Sequence, residues 1–347
     1  RPHGYADWGL AHHYVENDSI LCNPTPNIQR GIGYGQYDLF NKQMIKLNYN
    51  WRLTTNIQYS NSTSIPRFDK LNDGNQPCAI DSLGFCENTE SLKFHSYYYG
   101  PQKRFFSSVN LTGFDHYFDK SEIIISYQKI RESRHKWYLD DFMDFLNNPD
   151  SPEAYEAPTH QYENVSVYSL NTNLRKGSFY FGSETTYNNV ESTTADSNEN
   201  TWGVGDTRYP PDGSSLFSSA IYSNMMQRIS HKIQLELGAR YTFSHIKGNY
   251  PDTLNRPLIN IEGLRLSSQN HVLSGNFKII FYPSSLWKIS AVTSRGFHSP
   301  NVDDMLKVFK KGDNITIPNI NLKPEFSLTQ EIAITKTDTY GHLHDKL

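Results

Sequence analysis

Along most of its length the chain alternates apolar and polar residues with a period of two, the pattern of strands that present one face to an apolar environment. The clearest stretch sets Ile233, Leu235, Leu237, Ala239 and Tyr241 against Gln234, Glu236, Gly238, Arg240 and Thr242. Weaker versions run through Ile45, Leu47 and Tyr49, through Leu53, Ile57 and Tyr59, through Val109 and Leu111, through Phe277, Ile279 and Phe281, and through Trp287, Ile289 and Ala291. Each predicts a strand of roughly ten residues, long enough to cross a bilayer when tilted, and roughly eleven such strands fit in the chain.

The connections alternate between two kinds. Short turns are predicted near Asn50, at Asp119 and Lys120, at Lys176 and Gly177, at Ser230 and His231, and over Pro283 to Ser285. Long polar segments at 61–104, 131–164, 188–219, 244–270 and 296–325 separate them. Tight turns on one side and large loops on the other are the asymmetry of an outer-membrane β-barrel. The predicted fold is therefore all-β, a transmembrane antiparallel β-barrel with long extracellular loops. A soluble β-sandwich also alternates along its strands, but it gives no reason for ten-residue strands or for Glu236 and Arg240 on a face that would line a lumen.

Composition sharpens this picture. The chain holds 23 Tyr, 19 Phe and 5 Trp, 14% aromatic against 37% hydrophobic overall, so the rings exceed what an ordinary core needs. Tyr49, Trp51, Tyr117, Phe118, Phe179, Tyr180, Phe281, Tyr282 and Trp287 flank the short turns, while Tyr59, Tyr127, Tyr187, Tyr241 and Phe243 lie near the opposite strand ends. Two belts at the headgroup layers are the expectation. No run reaches the roughly 18 apolar residues of a membrane helix. A net charge of -3 without a Lys/Arg block gives no electrostatic footprint for nucleic acid.

Candidate chemistry is sparse. No G-x-S-x-G elbow, H-E-x-x-H, Walker loop or C-x-x-C pair occurs. Gly31, Gly33 and Gly35 lack the preceding strand and following helix of a nucleotide fingerprint and read as a loop. No metal site or cofactor is expected from spacing. The adjacent His12 and His13 could ligate a metal or haem iron, or simply be solvated. Tyr97, Tyr98 and Tyr99 combine flat rings with hydroxyl donors, suiting a planar or catecholate ligand or, equally, the outer belt. Two loop segments read as short helices: Asn301 as cap for a turn with Val302, Met305, Leu306 and Phe309 on one face and Asp304 at N3, and a second with Tyr138, Phe142 and Phe145 on one face. Of three cysteines, Cys78 and Cys86 lie close enough to form a small disulfide ring in an oxidising compartment or to remain free thiols, with Cys22 unpaired in either case.

Ser294-Arg295-Gly296-Phe297-His298-Ser299-Pro300-Asn301-Val302-Asp303-Asp304, followed by Pro318-Asn319-Ile320-Asn321-Leu322-Lys323-Pro324-Glu325, resembles the paired boxes of TonB-dependent outer-membrane receptors. His298 and Ser299 stand where the family has arginine and alanine, and Ile320 where it has proline. Gly4 to Gly9, Ser64 to Asp69 and Tyr98 to Arg104 look like stretches of such barrels from Bacteroidetes-type bacteria. The resemblance implies a 22-stranded barrel of which residues 1–347 are roughly the first half, with the plug domain and the C-terminal strands outside this chain. It further implies contact with outer-membrane lipid, coupling to the TonB–ExbB–ExbD complex through the plug, and energy-coupled uptake of a ferric siderophore, haem or cobalamin, with no catalysed reaction. A passive porin or barrel adhesin is the alternative that shares the strand pattern. Haem-receptor relatives carry a histidine between the boxes. Residues 301–318 contain none, so His298 is the candidate substitute, with Asn319 and Asn321 of the second box beside it as ligand-binding candidates.

Overall fold

The computed structural model describes residues 12–16, 19–25, 28, 30–31, 33–67, 92–151, 157–196, 207–250, 263–311 and 314–337. A hairpin of β1 (His13–Glu16) and β2 (Ser19–Cys22) precedes the main sheet. Then come β3 (Gln36–Lys46), β4 (Trp51–Ser62), β5 (Ile65–Pro66), β6 (Phe94–Tyr99), β7 (Lys103–Gly113), β8 (Lys120–Tyr138), α1 (Leu139–Asn147), β9 (Thr159–Lys176) and β10 (Phe179–Asp196). The chain continues as β11 (Ser214–Arg228), β12 (Ile233–Asn249), β13 (Arg265–Ser284), β14 (Trp287–His298), α2 (Val302–Leu306), β15 (Phe309–Lys311), β16 (Asn314–Thr316) and β17 (Glu325–Lys336).

These strands build one 13-stranded antiparallel sheet in the order β17-β14-β13-β12-β11-β10-β9-β8-β7-β4-β3, with β5 and β6 attached beside β8. Nearly every step joins neighbours in sequence, as expected where a short turn returns the chain antiparallel. The sheet is open: β3 and β17 form its two edges. The tight turns lie where the pattern puts them. In one, Gly177 takes φ 55, a conformation that suits a two-residue hairpin turn, and its N–H donates to Asp119 Oδ2 at 2.6 Å.

The two faces have inverted burial. On the apolar face Ile221 and Leu273 are 63% and 62% exposed, while on the polar face Thr242 and Ser244 are 5% and 4% exposed. A soluble sandwich shields its apolar face. A sheet that curves around a polar interior and turns its apolar face to lipid shows this reverse arrangement. Rings follow one another across the apolar face from strand to strand: Tyr37 to Tyr59 at 6.0 Å, Phe105 to Tyr127 at 6.3 Å, Tyr127 to Tyr168 at 5.0 Å, Tyr168 to Tyr187 at 6.4 Å and Phe217 to Phe243 at 6.2 Å between centroids. Several charges on the polar face are paired: Arg240 donates to Glu184 at 2.9 Å, Asn110 and Asn173 donate to Glu122 at 3.0 and 3.2 Å, and Lys278 lies 3.7 Å from Glu236. Tyr222 packs over Gly182, where a Cβ would meet its ring, and its hydroxyl donates to Asn173.

Several expectations need correction. Strands exceed the predicted ten residues, β13 reaching 20 and β8 reaching 19. They run beyond the lipid-facing band, where both faces are polar and alternation no longer marks them, and they shorten the predicted loops accordingly. Tyr97, Tyr98 and Tyr99 belong to a strand rather than a loop. Cys22 is disulfide-bonded, not unpaired. Cys78 and Cys86 lie outside the described residues.

The two faces and the bridge can each be tested. Leu237, which sits opposite Met225 and Phe277 on the apolar face, should not tolerate arginine: L237R costs about 2 to 4 kcal/mol at the hydrocarbon midplane, whereas Q234R on the polar face costs little. Heat-modifiable, assembled barrel in outer membranes should fall sharply for the first and hardly for the second. Non-reducing peptide mapping of the exported full-length protein should recover a bridged peptide that contains Cys22. A Cys78–Cys86 ring with an alkylatable Cys22 would overturn the assignment.

Candidate mouth site

The segment between β14 and β17 begins with an N-capped turn. Asn301 Oδ1 accepts from the backbone N–H groups of Asp303 and Asp304 at 2.7 and 3.1 Å, and Asp304 Oδ2 accepts from Asn301 N at 3.0 Å, which closes the capping box. Val302, Met305 and Leu306 are thereby turned into a buried cluster with Ile246, Tyr250 and Leu266, against which Leu216 and Tyr209 pack. Ile246, Leu266 and Leu216 stand on the polar-face parity of their strands, so α2 sits on the inner side of the sheet. Tyr250 donates its hydroxyl to Leu306 O at 2.6 Å. Gly248 leaves room for this contact, since a Cβ there would come within 2.6 Å of Leu306 Cδ1.

Asp303 fastens this turn to the 207–213 connection. Its Oδ1 accepts from Arg208 Nη2 and Tyr209 Oη, both at 2.8 Å, and its Oδ2 from Lys307 Nζ at 3.2 Å. Partial burial opposes ionisation of Asp303, but the bonds from Arg208 and Tyr209 outweigh it and hold the carboxyl below its usual range. Burial and the Asp303 bond push the Tyr209 hydroxyl up. Asn319 joins the second box to α2: its N–H donates to Met305 O at 2.9 Å and its Oδ1 accepts from Asn321 N at 3.0 Å.

The tyrosine run is divided by strand alternation. Tyr99 lies opposite Arg134 in register and is flanked by the guanidinium of Arg134 at 5.3 Å and of Arg67 at 4.8 Å, with Tyr97 edge-on at 5.9 Å. Tyr98 points the other way and stacks on His135 at 4.5 Å. Burial raises the hydroxyl pKa of both Tyr97 and Tyr98. Between Arg134 and Arg208 lies Glu163, raised by burial against the pull of both arginines, with Glu132 directly opposite it adding to the rise. An arc of charge thus runs along the inner mouth from Tyr97 and Tyr99 through Arg134, Glu163 and Arg208 to Asp303. Arg134 Nε is buried without a hydrogen-bond partner among the described residues.

The sequence candidates therefore fall into separate places. Asn319 and Asn321 come together beside α2. His298 is exposed at the end of β14, opposite Glu325. His12 and His13 lie at the start of the small hairpin, and His13 is buried. Sequence reasoning missed Arg134, Glu163 and Arg208, which lie in or beyond strand ends where no alternation flags them. It also missed His135 and His160, whose Nδ1 atoms are 2.6 Å apart. Burial and the neighbouring imidazole lower His135 to about 4, so it is neutral at physiological pH. Among the described residues no three metal-ligating side chains converge.

A family profile described as TonB dependent receptor-like, beta-barrel, matches residues 6–345. Hemoglobin-binding protein A of Haemophilus influenzae is 38% identical over 66 residues, 19% of this chain and 6% of that protein. Among solved structures, the fold resembles the copper transporter OprC, with a TM-score of 0.57 at 10% identity over 88% of this chain and 43% of that one. It likewise resembles the Serratia marcescens hemophore receptor HasR, in complex with its hemophore HasA and heme, with a TM-score of 0.54 at 12% identity over 87% and 42% of the two chains. At such identities the structural likeness speaks for the fold alone. This chain spans less than half of either solved structure and a small part of the curated relative. With the profile covering nearly the whole chain, it belongs to the TonB-dependent receptor-like β-barrel family.

Proposed function

We propose that the chain forms part of the wall and mouth of a receptor that takes up a scarce, bulky iron compound across the outer membrane, with work supplied through TonB and no reaction catalysed. The arc at the inner mouth carries this reading. It offers a buried guanidinium Nε with an open donor beside two tyrosines, which suits an anionic or catecholate chelate. The partial identity with a protein named for binding hemoglobin supports haem as the other iron source. A lipid-embedded sheet leaves no edge unpaired, so β3 and β17 are completed by further strands of the receptor. A separate plug closes the lumen and meets the TonB–ExbB–ExbD complex.

Uptake tests the energy coupling. Cells carrying the full-length receptor should accumulate ferric siderophore or haem only when TonB is present and the inner membrane is energised. Equal accumulation without TonB favours a passive porin. The ligand is separated by His298 and Arg134. The His298 imidazole can give a nitrogen to haem iron. Haem binding that is lost in H298A while ferric siderophore binding persists marks coordination by His298. R134Q should weaken chelate binding about tenfold or more, the worth of one charge-assisted bond, and leave a haem-coordinating site unaffected.

Asp303 supplies a further test, this time of the mouth itself. Its folded pKa is depressed, so its contribution is complete above the ordinary carboxylate range and is lost as pH falls through the depressed value. D303N should mimic that acid state at neutral pH. Limited proteolysis between residues 299 and 324 should speed up in D303N at pH 7, while the barrel remains heat-modifiable. Unchanged cleavage would show that the turn is held by its apolar seat alone.

A further inference from the structure

On the apolar face, one wall of the sheet carries a set of cations at the aromatic belt and immediately outward of it. Tyr59, Phe105, Lys129 and Ser166 stand in one register row. Asn61, Lys103, Arg131 and Asn164 form the next row, toward the loop side. One row is two residues, about 7 Å along the strand, or about 5 Å of height in a barrel strand tilted by about 45°. Phe105, in the row of Lys129, and Tyr127, one row below it, mark the belt. The three cations therefore emerge at the level of lipid headgroups, on the side of the large loops.

Lys103, Lys129 and Arg131 are all exposed, and none of them makes an ion pair with a carboxylate among the described residues. Lys103 and Arg131 are direct cross-strand partners, an arrangement that is destabilising for like charges unless an anion lies between them. The inner face shows the contrast: there Arg240, Lys278 and Lys120 each have a glutamate within reach. Arg131 is steadied against the Tyr162 ring at 5.4 Å, and Asn164 and Asn61, whose amide donates to Tyr37 Oη at 3.1 Å, flank the pair. The same arrangement recurs further round the wall, where exposed Lys247 and Arg265 lie outward of Phe243 and His271 on the same face.

We infer that Lys103, Lys129 and Arg131 bind the phosphate groups of a phosphorylated lipid in the outer leaflet, with its acyl chains lying along the rings and aliphatic residues below. Bound lipid phosphate turns the like-charge pair into a bridged one and fixes the height of the wall in the membrane. This site lies on the opposite face from the proposed mouth site and does not depend on which nutrient is taken up.

The test uses the full-length receptor, purified in detergent and exposed to bisphosphorylated lipid A, to lipid A stripped of phosphate, and to inorganic phosphate. Native mass spectrometry should show bisphosphorylated lipid retained by the wild type and at least about tenfold less by K103Q/K129Q/R131Q, in line with a contribution from each basic residue. The stripped lipid should not distinguish the two proteins. R104Q, a cation one residue away on the inner face, should retain lipid like the wild type, which separates loss of the site from loss of fold. In lipid-free detergent the triple variant should melt no earlier than the wild type, because it removes repulsion, and only added lipid A should raise the wild type above it. Equal retention of bisphosphorylated lipid by wild type and triple variant would overturn the inference. So would inorganic phosphate raising the wild-type melting point as far as the lipid does, since that would mark a simple anion site.

Discussion

In hydrocarbon no water is available to a free backbone N–H or C=O, and each one left unpaired costs several kcal/mol. The architecture answers to that constraint before any other. It is why the strands pair in an antiparallel ladder, why one end has turns as tight as the Gly177 hairpin, and why, among the described residues, irregular backbone lies beyond the aromatic rows. It also bears on the two edges. Exposed apolar side chains on β17, such as Leu328 at 71% and Ile332 at 78% exposed, combine with unpaired ladder groups to make a surface that lipid alone cannot satisfy.

With the backbone satisfied within the sheet, side chains are free to invert the usual arrangement. Apolar residues face outward and polar ones inward, and the polar face holds itself together by ion pairs and amide bonds rather than by a dry core. Apolar side chains at inner-face positions then acquire a meaning they lack in a soluble protein. Ile246 and Leu266 break the alternation of β12 and β13, and both are buried under α2. A departure from the pattern marks where a loop folds inward over the lumen. The capping box and the Asp303 bonds orient that loop, and the apolar seat holds it.

The alternation, the turn positions and the α2 cap were legible in the sequence because each depends on residues within a few positions of one another. The mouth was not. Arg208 and Asp303 are 95 residues apart, and Arg134 meets Tyr99 only because β6 pairs with the outer end of β8. That end reads Arg131-Glu132-Ser133-Arg134-His135-Lys136, polar at every position, and a stretch without alternation looks like loop until its ladder partners are known. The tyrosine run was legible as chemistry but not as geometry, since a strand sends Tyr98 away from Tyr97 and Tyr99. Cys22 escaped for a related reason: spacing ranks short loops, whereas the fold decides which sulfurs meet.

The two mouth arginines show how the same residue type is put to different uses by its surroundings. Arg208 donates through Nε and Nη2 to one carboxylate, so its directional capacity is largely committed to fastening α2. Arg134 lies between tyrosine rings and Glu163, and burial together with the opposing Glu132 makes Glu163 a weaker acid and thus a poorer counter-ion. Arg134 Nε is one of several buried polar atoms among the described residues that lack a hydrogen-bond partner, and each such group calls for an explanation. An anion arriving at Arg134 would take up its free donor without disturbing the Arg208–Asp303 bonds. On the proposed function, ligand capture and loop architecture can vary independently, the first through the residues around Arg134 and the second through those around Asp303.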